Sequence, residues 1–236
     1  MKTETAFYKI SEIADIPFRN LPAYQDYQEV VNGKTNKGYA GQFLLLALGL
    51  PLDTALNDLE DGEIKTTILK NNMTREWVPI TQVGHLLDEI TEHAAWTSSK
   101  VYKKIRNFIL VPCHKNSKNF QEWSFAKPIK VSLNENKKLA QALAEDYNDI
   151  ADEISRILQS GKLLRTINGR NYLMQIRTKD NHPYYPINYR GQIVSNKKYA
   201  IGFTTRFIRN LVNMHRGTTS PSQSKYDKRI LELLDN

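Results

Sequence analysis

The chain has 236 residues, 40% of them apolar, with 33 Lys and Arg against 25 Asp and Glu and one cysteine, Cys113. A single cysteine excludes an internal disulfide framework and a multi-cysteine zinc centre, and it points to a reducing, cytoplasmic setting. The longest apolar run, 43–52, is interrupted by Gly49 and Pro51 and falls short of the about 20 residues a bilayer span needs; residues 1–4 lead into no apolar h-region, so neither a membrane helix nor a signal peptide is expected.

The charge is unevenly spread. Residues 161–236 hold 14 Lys and Arg and 4 Asp and Glu, a balance of +10, whereas residues 1–160 balance to −2. Such concentrated basicity suits a polyanion, most simply nucleic acid, although a generic basic surface has the same composition.

Taken in chain order, the pattern predicts a short helix over 24–31, ended by Asn32-Gly33, and a very apolar helix over 39–48, ended by Gly49 and Pro51. Residues 62–69 and 76–83 read as strands joined by a turn at Asn71-Asn72, and 105–111 as a strong strand stopped by Pro112. The clearest helix spans about 134–159, where Leu139, Leu143, Tyr147, Ile150, Ile154 and Ile157 recur every three or four residues and Gly161 suits the residue just past the end. A strand over 171–178, a Pro- and Tyr-rich loop over 181–191, a strand near 193–203, a helix near 205–214 and a short helix at 227–234 complete the chain; 217–225 is the least ordered stretch. Strands and helices mixed in this order give an α/β or α+β fold.

The segment 57–66 carries the most chemistry. Asp58 stands on a turn, and Glu63-Ile64-Lys65 opens a β-branched strand, so Glu63 and Lys65 share a face and Asp58 can fold back beside them. Adjacent carboxylates repel, and a divalent cation relieves the repulsion; an all-oxygen set favours Mg²⁺ over zinc. A lysine next to such a pair can hold or deprotonate a water that attacks a phosphodiester. A solvated acidic turn before a strand is the plain alternative. Gly33-Lys34-Thr35 imitates the end of a phosphate-binding loop, but Gln28 replaces its leading glycine, and His85, His93, His114, His182 and His215 show no ligand spacing. Cys113 reads as structural.

Flanking segments give this site a context. Asn36-Lys37-Gly38-Tyr39-Ala40-Gly41-Gln42-Phe43-Leu44, then Asp58…Glu63-Ile64-Lys65-Thr66, then Trp96–Phe108 with its Lys103-Lys104-Ile105, then Asn171-Tyr172-Leu173-Met174-Gln175-Ile176-Arg177, and finally 202–211, resemble in order the conserved stretches of the MutH family of endonucleases, which includes mismatch-repair MutH and related type II restriction enzymes. The resemblance spans about 36–212. It implies one restriction-endonuclease-like domain over 1–236, with a mixed sheet flanked by helices and two lobes around a DNA cleft: a catalytic lobe over about 1–115 and a basic DNA-binding lobe over about 116–236. It also implies Mg²⁺-dependent cleavage of double-stranded DNA at a short sequence, by a monomer or a dimer. Asp58 and Glu63 take the place of the metal carboxylates, Lys65 that of the lysine at the attacking water, and Lys104 that of a second active-site lysine. Lys37 and Gly38 fall in a DNA-touching loop, and Arg177 aligns with an arginine facing DNA. Phosphate contacts are expected from Lys179, Arg190, Lys197, Lys198 and Arg206, and Tyr184, Tyr185 and Tyr189 are candidates to line a groove.

Three positions depart from the family pattern. Leu45 replaces a glutamate thought to assist the metal, so Glu60 or Asp61 is a candidate substitute. The spacing from Asp58 to Glu63 is two residues short, which admits Asp53 or Asp61 as the partner of Glu63. Gly202 stands where the family has a tyrosine in its final base-reading strand, and Thr178 follows Arg177 where proline is common. Beside the nuclease reading stand a repair nickase and a non-catalytic DNA-binding module on the same fold.

Overall fold

The computed structural model describes residues 1–31, 38–52, 57–115, 117–179, 186–218 and 224–235, except for the side chains of 28–31. It is an α/β protein that divides into two compact units, Met1–Glu76 with Arg106–Ser132, and Trp77–Ile105 with Leu133–Asn236. The division is therefore not a single cut near residue 115: residues 77–105 build the second unit and 116–132 the first.

The first unit holds helices α1 (Thr3–Glu12), α2 (Ala23–Val31) and α3 (Tyr39–Ala47) and strands β1 (Glu63–Lys70), β2 (Met73–Thr74), β4 (Asn107–His114), β5 (Ser124–Phe125) and β6 (Ile129–Ser132). The sheet runs β2-β1-β4-β5, with β6 also on β4. β1 and β4 are parallel, in register from Glu63 opposite Phe108 to Leu69 opposite His114. Phe108, Ile109, Leu110 and Val111 are all fully buried, as expected of a strand covered on both faces. Phe18, Phe43 and Phe125 meet at the centre of this unit, with Phe18 ring centroids 4.5 and 4.6 Å from the other two.

Pro112 does not stop β4, which continues to His114. β6 pairs with Asn107–Leu110 and β5 with Cys113 and His114, so the prolyl nitrogen falls where the strand changes partners, and the Pro112 carbonyl accepts from the Ala126 amide at 2.7 Å. A missing donor costs nothing at such a break. The Asn71-Asn72 turn is present, both residues having positive φ, as a two-residue hairpin loop requires. It joins β1 only to the short β2, however, because the strand expected over 76–83 lies in the other sheet.

The second unit contains β3 (Val78–Gln82), α4 (Leu87–Thr91), α5 (Lys100–Ile105), α6 (Lys137–Gln159), β7 (Ile167–Asn168), β8 (Met174–Thr178), β9 (Ile187–Tyr189), β10 (Gln192–Ser195), β11 (Tyr199–Phe203), α7 (Thr205–His215) and α8 (Lys225–Leu234). Its antiparallel sheet runs β3-β11-β8-β7, and β9 and β10 form a separate hairpin. That hairpin and the turn before β11 divide what the sequence presents as one strand over 193–203. α6 buries the apolar stripe read from its periodicity; the Asn136 side chain accepts from the Leu139 amide at 2.8 Å at its start, and Gly161 takes positive φ just past its end.

The fully buried Asp146 on α6 accepts from the amides of Asn171, Leu173 and Met174 at 2.6, 2.8 and 2.9 Å. These bonds fix the chain entering β8, the strand that carries Arg177. Burial pushes this carboxyl above the ordinary range, against the opposing pull of the three amides. Among the described residues, no helix is long and apolar enough to cross a membrane.

Candidate functional site

Asp58, Glu63 and Lys65 come together at the start of β1. Gly62 makes this possible: a Cβ there would lie 2.6 Å from both the Asn107 carbonyl oxygen and Thr3 Oγ1, so only glycine lets the turn approach β4 and α1 this closely. The turn closes through the Leu59 amide, which donates to the Gly62 carbonyl at 3.0 Å. Asp58 Oδ2 then accepts from the Ile64 amide at 3.0 Å, and Glu63 Oε2 accepts from the Asp58 amide at 3.2 Å. The Lys65 ammonium donates to Glu63 Oε1 at 2.6 Å. Alternation along the strand puts Glu63 and Lys65 on one face, as the sequence predicts.

Glu63 is 3% exposed. A carboxylate so far removed from water requires compensating charge or hydrogen bonds, and Lys65 together with the Asp58 amide supplies both. Asp58 stands on the turn before β1 and Glu63 opens the strand; Glu63 accepts from the amide of Asp58, and Asp58 from the amide that follows Glu63. The donor set is all oxygen, with neither thiolate nor imidazole in the network, and it suits a hard divalent cation that keeps several waters, as Mg²⁺ does. The five-residue interval from Asp58 to Glu63 lets each carboxylate reach a backbone amide of the other's segment.

The acids weighed as substitutes point elsewhere. Asp61 accepts from the amide and hydroxyl of Thr3 at 2.7 and 2.6 Å; although burial raises its carboxyl, the Thr3 bonds prevail and hold it below the ordinary range. It is the anchor for the first turn of α1. Glu60 accepts from the Met1 amino group at 2.8 Å and is largely exposed. Asp53 lies outside the described residues. Leu45 is partly buried and packs against the hydrophobic core of this unit.

The other candidates are distributed as follows. Lys37, Tyr184 and Tyr185 lie outside the described residues. Gly38 is the exposed residue that precedes α3. Lys104 stands half-buried on α5, in the second unit. Arg177 is exposed on β8, opposite Ala200 of β11. Lys179 and Lys198 come together just beyond the paired ends of these strands, the Lys179 amide donating to the Lys198 carbonyl at 2.8 Å, and the exposed Lys197 stands beside them. Tyr189 is engaged in packing: its hydroxyl shares a 2.7 Å hydrogen bond with Thr91, and Arg190 lies over its ring. Arg206 lies over the rings of Tyr172 and Tyr226.

Sequence reasoning missed the surroundings of Arg177. Cross-strand pairing places Gln82, Ala200 and Arg177 in one row, and Pro79, Gly202, Gln175 and Asn168 in the next, on one face of the second sheet. The opposite face is apolar, with Tyr199, Ile201, Phe203, Ile176 and Met174 buried. Only the alternation of β8 hinted at this face; the partner strands are far away in the sequence.

No protein-family model matches the sequence, and no curated protein matches it significantly.

Proposed function

We propose that this protein is a Mg²⁺-dependent endonuclease that hydrolyses phosphodiester bonds of double-stranded DNA at a short sequence, in the manner of type II restriction enzymes, on a restriction-endonuclease-like core. The observation that carries the reading is the buried Glu63, paired with Lys65 and tied to Asp58 at the start of a strand that lies parallel to the central β4. A solvated acidic turn has no reason to bury a carboxylate and pair it with a lysine two residues on.

In this reading Asp58 and Glu63 hold the metal, whose charge would polarise the scissile phosphate and acidify a bound water. Lys65, already hydrogen-bonded to Glu63 as an ammonium, is positioned by that bond to orient the attacking water and to offset the charge that would develop on the phosphoryl oxygens. Lys104 is assigned to a phosphate. Arg177 is assigned to a base edge, and Lys179, Lys197 and Lys198 to flanking phosphates, as the exposure of Arg177, Lys179 and Lys197 and the clustering of the three lysines support.

Supercoiled plasmid incubated with the purified protein in Mg²⁺ tests the reading. Wild type should nick or linearise it, EDTA should stop the reaction, and Glu63→Ala should abolish cleavage while duplex binding persists. Undiminished cleavage by Glu63→Ala would overturn the site assignment.

One observation favours a second reading. Leu45 is committed to an apolar core where the resembling family has a carboxylate, and a metal site short of one acid suits a DNA-binding module without catalysis. Salt-sensitive duplex binding with no cleavage under any divalent cation would select that reading.

A further inference from the structure

Trp77, which no motif marked, stands against both Gly202 and Arg177 on one face of the second sheet. β3 pairs with β11 through a bulge: Ile201 faces Thr81, Gly202 faces Pro79, and Ile80 is the extra residue between them. The bulge brings β3 against Gly202. A Cβ at Gly202 would lie 2.4 Å from the Val78 carbonyl oxygen, 2.8 Å from Pro79 Cα and 2.8 Å from Trp77 Cζ3. The indole therefore lies across Gly202, in the room that a side chain from β11 would otherwise claim. It reaches over to β8, where the Arg177 guanidinium stands 5.5 Å from its ring centre, within cation–π range.

The position of this tryptophan is not explained by the core. Trp77 is half-buried and lies on the face of Gly202 and Arg177, away from the buried Ile201 and Phe203. Around it the face carries the small buried Ala200 and Gly202 and the exposed Pro79, together with half-buried Gln82 and Gln175 and the exposed Arg177. A large flat ring on such a sheet face, under an exposed arginine, restricts the rotamers of a long side chain that is otherwise free to sweep through solvent. Holding such a guanidinium before binding lowers the entropy cost of a directional contact, and the contact for which an arginine fork is best suited in a major groove is a bidentate one to guanine.

We propose that Trp77 is a specificity-determining positioning residue: its indole, seated on Gly202, holds the Arg177 guanidinium for a guanine edge in duplex DNA. The inference rests on the DNA-binding reading above and adds to it the residue that fixes one base choice.

The test uses the full chain and a library of random-sequence duplexes, selected at one salt concentration with wild type, Trp77→Phe and Trp77→Ala. Isotherms follow on the selected duplex and on a scrambled one. Wild type should select a consensus containing a G·C pair. Trp77→Phe, which keeps an aromatic shelf, should retain most of the preference. Trp77→Ala should lose about 5- to 150-fold in discrimination at that pair, the loss expected for one bidentate base contact, with affinity for the scrambled duplex unchanged. The same consensus and ratio from Trp77→Ala would overturn the proposal, as would equal weakening on both duplexes, which marks a merely structural residue. A DNA-free measurement separates the layers: the Arg177 Nε–Hε resonance should be shifted upfield by the ring in wild type and released in Trp77→Ala, and an unmoved resonance would also overturn the proposal. If wild type binds no duplex in a salt-sensitive way, the DNA reading itself fails; if wild type selects a consensus that Trp77→Ala shares, only the role of Trp77 fails.

Discussion

Replacing Lys65 with methionine removes the ammonium from Glu63 and keeps most of the aliphatic stem. Stripping one partner from a buried ion pair costs about 3–5 kcal/mol, because the remaining charge stays out of water without compensation. Two features of this site lower that figure. The Lys65 side chain is 18% exposed, so the pair is partly screened, and Glu63 Oε2 keeps the Asp58 amide at 3.2 Å. About 2–3 kcal/mol remains as the expected loss in the absence of metal. A divalent cation held by Asp58 and Glu63 restores the missing charge and no longer competes with an ammonium for Glu63 Oε1. Free metal at 100 times its dissociation constant stabilises a protein by about 2.7 kcal/mol, so Mg²⁺ should recover nearly the whole deficit. The assay is urea denaturation of wild type and Lys65→Met, each in EDTA and in millimolar Mg²⁺. The variant should be the weaker protein in EDTA and should gain more from Mg²⁺ than wild type does, while its plasmid cleavage is lost. An equal Mg²⁺ increment in both proteins would refute the idea that Lys65 and the metal answer the same buried charge.

Other expectations follow from the same structure. Lys197→Ala with Lys198→Ala should weaken binding to all duplexes alike and flatten the plot of log affinity against log salt by up to about 0.9 per lost phosphate contact; an unchanged slope would show that this charge is solvated surface. Asp149, which accepts two hydrogen bonds from the Arg170 guanidinium and one from its backbone amide, is held below the ordinary carboxylate range chiefly by that arginine. The pair therefore stabilises above the unfolded-state value near 3.8 and loses its effect as pH falls through the lower native value. Asp149→Asn should cost about 1 kcal/mol at neutral pH, as suits a pair whose arginine is largely exposed, and the gap to wild type in acid titrations of stability should close below about pH 4. Burial pushes the Cys113 thiol up to about 12, so native protein at pH 8 should resist a maleimide that labels the unfolded chain at once; rapid labelling of the native protein would contradict its burial. Asp146→Asn places a donor where three amides already point, and an expected loss of about 1–3 kcal/mol should be visible in thermal denaturation.

The sequence was most legible where local periodicity and tertiary role coincide. The stripe from Leu139 to Ile157, the cap pattern around Gly161 and the alternation of Glu63 and Lys65 all have their signal within one or two turns of chain. It was least legible where a distant partner decides. Pro112 reads as a terminator because its neighbours alone cannot tell that β6 hands over to β5 at that point. Residues 76–83 read as the return strand of a hairpin because the run is apolar and follows a good turn; its actual partner, β11, lies more than a hundred residues later. Gly202 reads as a lost tyrosine until the β3 bulge shows Trp77 lying over it. α1 went unread because its few apolar positions, Ala6, Phe7 and Ile10, look sparse until Asp61 is seen to hold its first turn. The metal-site candidates sit between these extremes: Glu63 and Lys65 were legible from spacing, whereas the engagement of Asp61 with Thr3 was not.

The interleaved course of the chain through its two units has a consequence for how the protein is made and how it can be dissected. β1 is synthesised with the first 76 residues, but its parallel partner β4 emerges only after the whole of Trp77–Ile105. During synthesis the Asp58–Glu63–Lys65 turn must therefore wait, without the Asn107 carbonyl that backs Gly62, until the later segment arrives. Such non-local pairing is slow to form and exposes strand edges meanwhile. A fragment ending at Glu76 lacks β4, and one beginning at Trp77 lacks β1, so no single cut yields either unit whole. The smallest uninterrupted piece that contains the complete first unit is 1–132, and it brings residues 77–105 along without the β11 that β3 requires. A separable first unit calls for a rewired chain, with Glu76 joined to Arg106 by a linker, rather than a truncation.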